Sequence, residues 1–230
     1  MSFLTTGQAA RKLGVTQVAV RKLIGTGQLV QSGSAGRAIL LDAHSVDQLA
    51  RLGTRHGRPW TEANAWAALA LLSGLSRVQW VSSSEASRLR RKLGATQVSE
   101  LAILARKRAR THRFRGTADV IERLREHVLA TGVSAMADDA IAHRFELAGS
   151  RGTADGYVMF DDADALKEAY GLIDDPEGNV ILREVTTSSA FADGVPLAAV
   201  ALDLLESPAT RERAAGRRVL EELLGGRRSA

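Results

Sequence analysis

The sequence of 230 residues predicts a mainly α fold with small β elements. Two short amphipathic segments around a glycine open the chain at 8–24 and favour a pair of helices. A glycine-rich stretch between two apolar segments follows, and strand, helix and strand patterns succeed one another at 156–185. We therefore expect three parts: an N-terminal domain at 1–55, a basic helical region at 56–116 and a small α/β domain at 117–230.

The first two helices are predicted from their caps and from apolar positions that face each other. Thr6 is expected to cap the first helix, Gly14 to end it in a left-handed conformation, and Thr16 to cap the second helix at 17–24. Packing two helices across so short a turn needs a very small residue at the closest approach, which Ala10 supplies. The apolar positions that this packing needs are Ala9, Leu13, Val15, Val20 and Leu23.

A β-hairpin and a third helix are expected next. Residues 28–41 favour two strands joined by a glycine-rich tip, and residues 42–53 favour a short amphipathic helix. A hairpin that follows a helix-turn-helix is called a wing. The segment 3–52, with "TTGQAARKLGV" near its start and "GR…LLD…SVDQL" near its end, resembles the winged helix-turn-helix of MerR-like and excisionase-type DNA-binding proteins. The long dimerising coiled coil of MerR proteins does not follow it.

In such a unit the exposed side of the second helix enters the major groove. A glutamine can recognise adenine, an arginine or lysine can recognise guanine, and a valine can contact a thymine methyl group. The residues expected to contact bases are Gln17, Val18, Arg21 and Lys22. Thr16 and Arg37, the latter beside the tip of the hairpin, are expected to contact the DNA backbone. The alternative is that the basic residues only form a solvated helix face.

An octapeptide of the first two helices recurs later in the chain. "RKLGVTQV" at 11–18 returns as "RKLGATQV" at 91–98. The second copy does not meet the packing requirement, because Arg90 stands at the position of closest approach and Glu100 at a position that should be apolar. A charge buried between two helices without a partner costs too much free energy. The second copy is therefore predicted not to be a DNA-reading unit.

A helical hairpin is expected there instead. Ser82 or Ser83 should cap a helix at 84–93, and Thr96 should open an amphipathic helix after it. The apolar stripe of that helix comprises Val98, Leu101, Leu104 and Ala105.

Basic residues crowd at the predicted end of this helix, whereas residues 138–177 are predominantly acidic. A polyanion would be attracted to the basic region and repelled by the acidic one. One interpretation is contact with DNA phosphates, and the other is a solvated helix end whose cations are favoured by the helix dipole. The candidate phosphate contacts are Arg106, Lys107, Arg108, Arg110, Arg113 and Arg115.

The remaining composition favours a binding protein over an enzyme. The chain has no cysteine, and 31 Lys and Arg face 26 Asp and Glu. We find no nucleophile–base arrangement, phosphate-binding glycine loop or metal-ligand spacing, and expect no catalytic residue, no cofactor and no metal. The acidic groups at 161–164 and 174–177 suit a helix cap and a turn better than a metal site. Without a signal peptide or a membrane span, we expect a cytoplasmic protein, associated with the nucleoid when bound to DNA.

The whole layout resembles a second family. After the N-terminal segment come "RHGRPWTEANAWAALALLSG", a basic stretch, a unit of the form "GYV…D…AL…YGL…GNV.LR.V", and "VALDLLES". This order is similar to that of actinobacterial AbiE-type antitoxins of type IV toxin–antitoxin systems. The resemblance implies a transcriptional repressor that binds an inverted repeat of double-stranded DNA in its own promoter. Either a homodimer or two monomers would occupy the two half-sites. It also implies a toxin, encoded by the adjacent gene, as a partner.

Other functions stay open on the sequence alone. An excisionase-like architectural protein would bend DNA without repressing transcription. A protein-binding adaptor would neutralise a basic partner through the acidic C-terminal half. A regulator that responds to a small molecule is a further alternative, although the sequence indicates no pocket.

Overall fold

A computed structural model describes residues 3–25, 29–35, 38–52 and 58–228 of the chain. The chain divides into two compact units, Met1–Gly57 and Arg58–Ala230. It is mainly α-helical with small sheets, as the sequence predicts.

The first unit packs three helices with a small antiparallel sheet. Its order is β1 (Phe3–Thr5), α1 (Thr6–Leu13), α2 (Gln17–Gly25), β2 (Gln31–Ala35), β3 (Ala38–Asp42) and α3 (Ala43–Leu52). The strands lie in the order β1-β3-β2, and both pairs are antiparallel.

The core of the first unit lies where α1, α2 and α3 meet. Ala9 and Val20 are fully buried, and Ala10 is 7% exposed, in agreement with the small residue expected at the closest approach. Leu41 and Val46 complete this core from β3 and α3. The predicted facing positions Leu13, Val15 and Leu23 pack against it while partly exposed.

The second unit contains eight further helices, five strands and short 3-10 turns in its described residues. The helices are α4 (Glu62–Leu72), α5 (Ser83–Gly94), α6 (Val98–Leu104), α7 (Ala118–Leu124), α8 (Asp139–Phe145), α9 (Asp162–Ala169), α10 (Leu197–Leu205) and α11 (Thr210–Arg228). The strands are β4 (Arg110–Arg115), β5 (Leu129–Ala130), β6 (Ala154–Met159), β7 (Ile173–Asp174) and β8 (Val180–Val185).

One mixed sheet organises this unit. Its strand order is β5-β6-β8-β4-β7; β6 and β8 are parallel, and the other neighbours are antiparallel. Phe114, Ile121 and Leu182 belong to a hydrophobic cluster between β4, α7 and β8. α4 and α10 are buried almost all round, which is typical of helices at the centre of a core.

The boundaries differ from the expected three parts. Residues 56–116 and 117–230 do not separate, because β4 pairs along its length with β8 and so belongs to the same sheet as the later strands. The basic run is also not a helix end: α6 ends at Leu104, and the run continues as β4.

Two predicted caps are placed differently. α1 begins after Thr5 rather than Thr6, with a capping box between Thr5 and Gln8. Thr96 does not cap α6; its hydroxyl donates to the Lys92 carbonyl at 2.7 Å. Ser82 caps α5, as expected, with Glu85 as the reciprocal partner.

Candidate nucleic-acid interface

The turn between α1 and α2 is held by three local features. Gly14 has φ of 65°, a left-handed conformation that glycine adopts without steric cost. The Val15 amide donates to the Ala10 carbonyl at 3.0 Å, which closes the turn. Thr16 Oγ1 accepts from the Ala19 amide at 3.2 Å and caps α2. The start of α2 is therefore fixed by hydrogen bonds within a few residues.

The outer face of α2 carries the side chains predicted to contact bases. Val20 on the inner side is fully buried, whereas Val18 is 72% exposed. Gln17, Arg21 and Lys22 are exposed with it. We call this set, Gln17, Val18, Arg21 and Lys22, the α2 face. An apolar side chain so exposed between polar and basic ones is the mixture that can contact both a thymine methyl group and base-edge acceptors.

The charges of the α2 face have no ionic partner among the described residues. Neither Arg21 nor Lys22 forms an ion pair with the described residues, whereas Lys12 on α1 pairs with Asp47 on α3. Thr16, the predicted backbone contact, is exposed beside them. Arg37 lies outside the described residues.

The basic run in the second unit contains one residue that cannot contact DNA. Arg108 is 3% exposed, and its guanidinium forms ion pairs with Asp203 and, at 2.7 Å, with Glu206. Its Nε donates to the Tyr157 hydroxyl at 3.3 Å. The prediction that Arg108 contacts phosphate is therefore wrong, because its donors are engaged inside the unit.

The other members of the run are in varied surroundings. Arg115 pairs with Asp175 at 2.5 Å, and Arg110 lies 3.9 Å from Glu184. Arg106 and Arg113 are half-buried, and burial lowers the pKa of Arg106. Lys107 is exposed. The structure thus does not gather these side chains into one open basic surface.

A buried network of ionised side chains surrounds Arg108. Arg183 donates to Asp155 at 2.7 and 3.1 Å and to Glu206 at 2.6 Å. Asp203 also accepts from the Tyr157 hydroxyl at 2.7 Å and from Thr131 at 2.5 Å. We call Arg108, Asp155, Arg183, Asp203 and Glu206 the buried ion network.

The network perturbs the pKa values of its own members. Burial opposes the ionisation of Glu206, but the cations of Arg108 and Arg183 outweigh it and lower its pKa from 4.5 to about 2. Burial raises the pKa of Asp155 above its usual value, although Arg183 opposes that change. Burial and the adjacent Asp203 carboxylate raise the pKa of Tyr157 well above its usual value.

A cleft of about 260 Å³ opens onto one side of this network. Asp155, Arg183, Asp203 and Glu206 line it, but they are hydrogen-bonded to one another or to neighbouring groups of the fold. No buried side-chain nitrogen or oxygen in the described residues lacks a partner, and the same residues contain no cluster of three potential metal ligands. A network satisfied in this way stabilises the unit and leaves little unmet hydrogen-bonding capacity for a ligand.

Further exposed cations lie outside the predicted set. Arg88 and Arg91 on α5 are exposed, and neither forms an ion pair with the described residues. The sequence contains a signal for them: the apolar spacing of Ala86, Leu89 and Leu93 turns the intervening residues outward.

Comparison with known protein families, with curated proteins and with solved structures gives no significant match. None of the described helices combines the length and apolar character needed to cross a membrane. The candidate interface is therefore defined by the residues of the α2 face and their surroundings.

Proposed function

We propose that the N-terminal unit is a winged helix-turn-helix that binds duplex DNA in a sequence-specific manner and that the protein is a transcriptional repressor. The observation that carries this proposal is the α2 face, where Val18 is 72% exposed on a helix whose other side buries Val20 completely. Leaving a valine in water gains nothing for the fold, whereas contact with a thymine methyl group would bury it.

The neighbours of Val18 have the chemistry for reading the adjacent bases. Gln17 can hydrogen-bond adenine through its amide, and Arg21 or Lys22 can donate to guanine O6 and N7. Since neither cation has an ionic partner in the described residues, neither must break an ion pair to reach DNA. The hairpin of β2 and β3 follows α2 in the chain, in the order of a winged unit.

Repression of its own promoter is part of the same proposal. Two copies of the protein would fill the two halves of an inverted repeat, as paired half-sites require. The antitoxin role implied by the resemblance stays a prediction, which co-purification with the product of the adjacent gene would test.

The first experiment is a footprint of the full-length protein on the DNA upstream of its own gene, at two salt concentrations. We expect a protected inverted repeat that persists at the higher salt concentration. Diffuse protection that disappears at the higher salt concentration would contradict sequence-specific binding. Affinity that comes only from phosphate contacts falls steeply with salt, because binding must displace counterions from the DNA.

The second experiment tests which residues read bases. Arg21→Ala should cost about 1–3 kcal/mol of binding free energy on the protected site and much less on a scrambled duplex. Arg11→Ala, which removes an exposed cation from α1, is the matched control and should not change the preference between the two duplexes. Equal losses on both duplexes for Arg21→Ala would refute its assignment to a base.

A further inference from the structure

We propose that the outward side of α5, formed by Ser87, Arg88 and Arg91 and called the α5 face, binds the phosphate backbone of duplex DNA. This surface belongs to the second unit and lies outside the basic run at 106–115. The choice of DNA as the partner rests on the proposed function, whereas the assignment of an anion-binding surface rests on α5 alone.

The orientation of α5 follows from its apolar stripe. Ala86, Leu89 and Leu93 are buried, and α5 packs against α4 and α11. Arg88 and Arg91 lie between these positions on the opposite side of the helix, and both are exposed together with Ser87. Two guanidinium groups and a hydroxyl thus project into solvent from consecutive turns of a helix that is anchored on its other side.

The nearby carboxylates are already engaged. Glu85 accepts from the Ser82 amide and hydroxyl at 3.0 and 2.6 Å as part of the capping box, and these bonds, with a smaller effect of the Arg88 cation, lower its pKa. Glu100 pairs with Lys92 at 2.6 Å. Arg90 instead donates to the Ser76 carbonyl at 2.6 Å, which leaves its charge without a carboxylate among the described residues.

α11 shows the opposite arrangement of charge. Arg217 and Arg218 each have a glutamate four residues later, Glu221 and Glu222, at 3.9 and 3.2 Å. Such pairs stabilise a helix modestly, whereas like charges three or four residues apart destabilise it. On α5, Arg88 follows Glu85 by three residues but precedes Arg91 and Lys92 by three and four, so two like charges stand against one carboxylate at these spacings.

A solvated helix end accounts for only part of this arrangement. Arg91 and Lys92 lie in the last turn, where the helix dipole favours cations. Arg88 lies one turn earlier, outside the reach of that effect. A row of phosphates would relieve the repulsion and would accept hydrogen bonds from arginine and serine side chains, the groups that contact DNA backbones.

The test measures the binding of full-length protein to the footprinted duplex and to a scrambled duplex across a salt series. Each phosphate contact contributes about 0.9 to the slope of log affinity against log salt, so Arg88→Ala/Arg91→Ala should reduce that slope by about 1.8 on both duplexes. A four-fold increase in salt would then weaken the parent by roughly ten-fold more than the variant. The matched control, Arg123→Ala/Arg217→Ala, removes two exposed arginines that each have a carboxylate four residues away.

The outcomes separate this proposal from the proposed function. An unchanged slope in a variant with the parent's melting temperature, or an equal change in the control, would overturn the α5 assignment. Competition by duplex RNA or by phosphatidylserine vesicles as effective as that by scrambled DNA would overturn DNA as the partner. The protein could show no preference for any duplex while Arg88→Ala/Arg91→Ala still reduces the slope of log affinity against log salt. That result would contradict the proposed function and support the assignment of the α5 face.

Discussion

The two copies of the octapeptide adopt different structures although they differ at one residue. In the first copy the helix ends at Leu13 and Gly14 is left-handed; in the second, α5 continues through Gly94, and Ala95 is its C-cap. Val18 is 72% exposed, and its counterpart Val98 is 5% exposed. Nearly identical octapeptides thus place one valine on a candidate DNA-binding face and the other in a core.

Residues outside the repeat account for this difference. Arg21 and Lys22 on α2 correspond to Leu101 and Ala102 on α6, both of which are buried. α2 therefore has one apolar side, whereas α6 is buried on most sides. The small Ala10 lets α1 and α2 pack directly on each other, while α5 packs on α4 and α11, and α6 on α11. An eight-residue match therefore does not determine which of its side chains reach solvent.

The largest expected difference follows from placing a charge at the two equivalent valines. Val98→Asp should lower the free energy of unfolding of the second unit by about 3 kcal/mol or more, because a carboxylate would be buried without a partner. Val18→Asp should change stability by about 0.5 kcal/mol or less and weaken DNA binding, since the new charge would face phosphates. Urea unfolding followed by tryptophan fluorescence measures the first effect, because Trp60, Trp66 and Trp80 all lie in the second unit. Residue-resolved hydrogen exchange of α1 and α2 measures the stability effect of Val18→Asp.

Comparable stability losses in both variants would show that the two valines are equally buried. That result would remove the contrast between the repeats and with it the observation that carries the proposed function.

Acidification should lower the unfolding free energy of the second unit, which contains the second repeat, more than that of the first unit. Among the described residues, buried carboxylates occur only in the second unit. The folded pKa of Glu206, about 2, lies below its ordinary value of 4.5. Its contribution is therefore present above about pH 4.5 and is lost as the pH falls toward 2.

We expect the parent's second unit to lose about 3 kcal/mol of unfolding free energy from this residue between pH 5 and pH 2, and Glu206→Gln to lose less over the same range. The raised pKa of Asp155 changes stability with pH in the opposite direction, but this residue is present in both the parent and the variant. Urea titrations by tryptophan fluorescence at several pH values test this. Parallel pH profiles for parent and variant would contradict the role given to Glu206.

The smallest expected effects have opposite signs at the two equivalent glycines. Gly14→Ala should destabilise the first unit by about 1 kcal/mol, because alanine is strained at φ of 65°. Gly94→Ala should stabilise the second unit by about 0.5–1 kcal/mol, since alanine favours the helix and its Cβ would lie 3.9 Å from the nearest atom, the Arg227 carbonyl oxygen. Residue-resolved hydrogen exchange measures both stability changes. Changes of the same sign would contradict the conclusion that the two helices end differently at these glycines.

The elements of the first unit follow from local sequence. The glycine of the turn, the Thr16 cap and the apolar positions of α1 and α2 are all within a few residues of one another, and they predicted both helices. The first cap was missed by one residue, because Thr5 and Thr6 offer the same side chain and only the capping box with Gln8 distinguishes them.

The basic run was harder to predict because its surroundings come from distant parts of the chain. β4 is a strand because it pairs with β8, and local composition alone favoured a helix end. Arg108 differs from Lys107 only through partners such as Asp203, which lies 95 residues further on. Only the tertiary structure distinguishes exposed from buried cations, and the sequence alone therefore leaves Arg108 among the candidate phosphate contacts.

The separation of Arg108 from Asp203 also has a consequence for synthesis of the protein. At about 5–20 residues per second, a ribosome needs roughly 5–20 s to extend the chain from Arg108 to Asp203. During this interval the nascent chain contains Arg108 but not Asp203. The helix α4 likewise lacks α10, against which it packs in the finished unit. The second unit is therefore completed only late in translation, and the side of α4 that packs against α10 stays uncovered by it until α10 emerges.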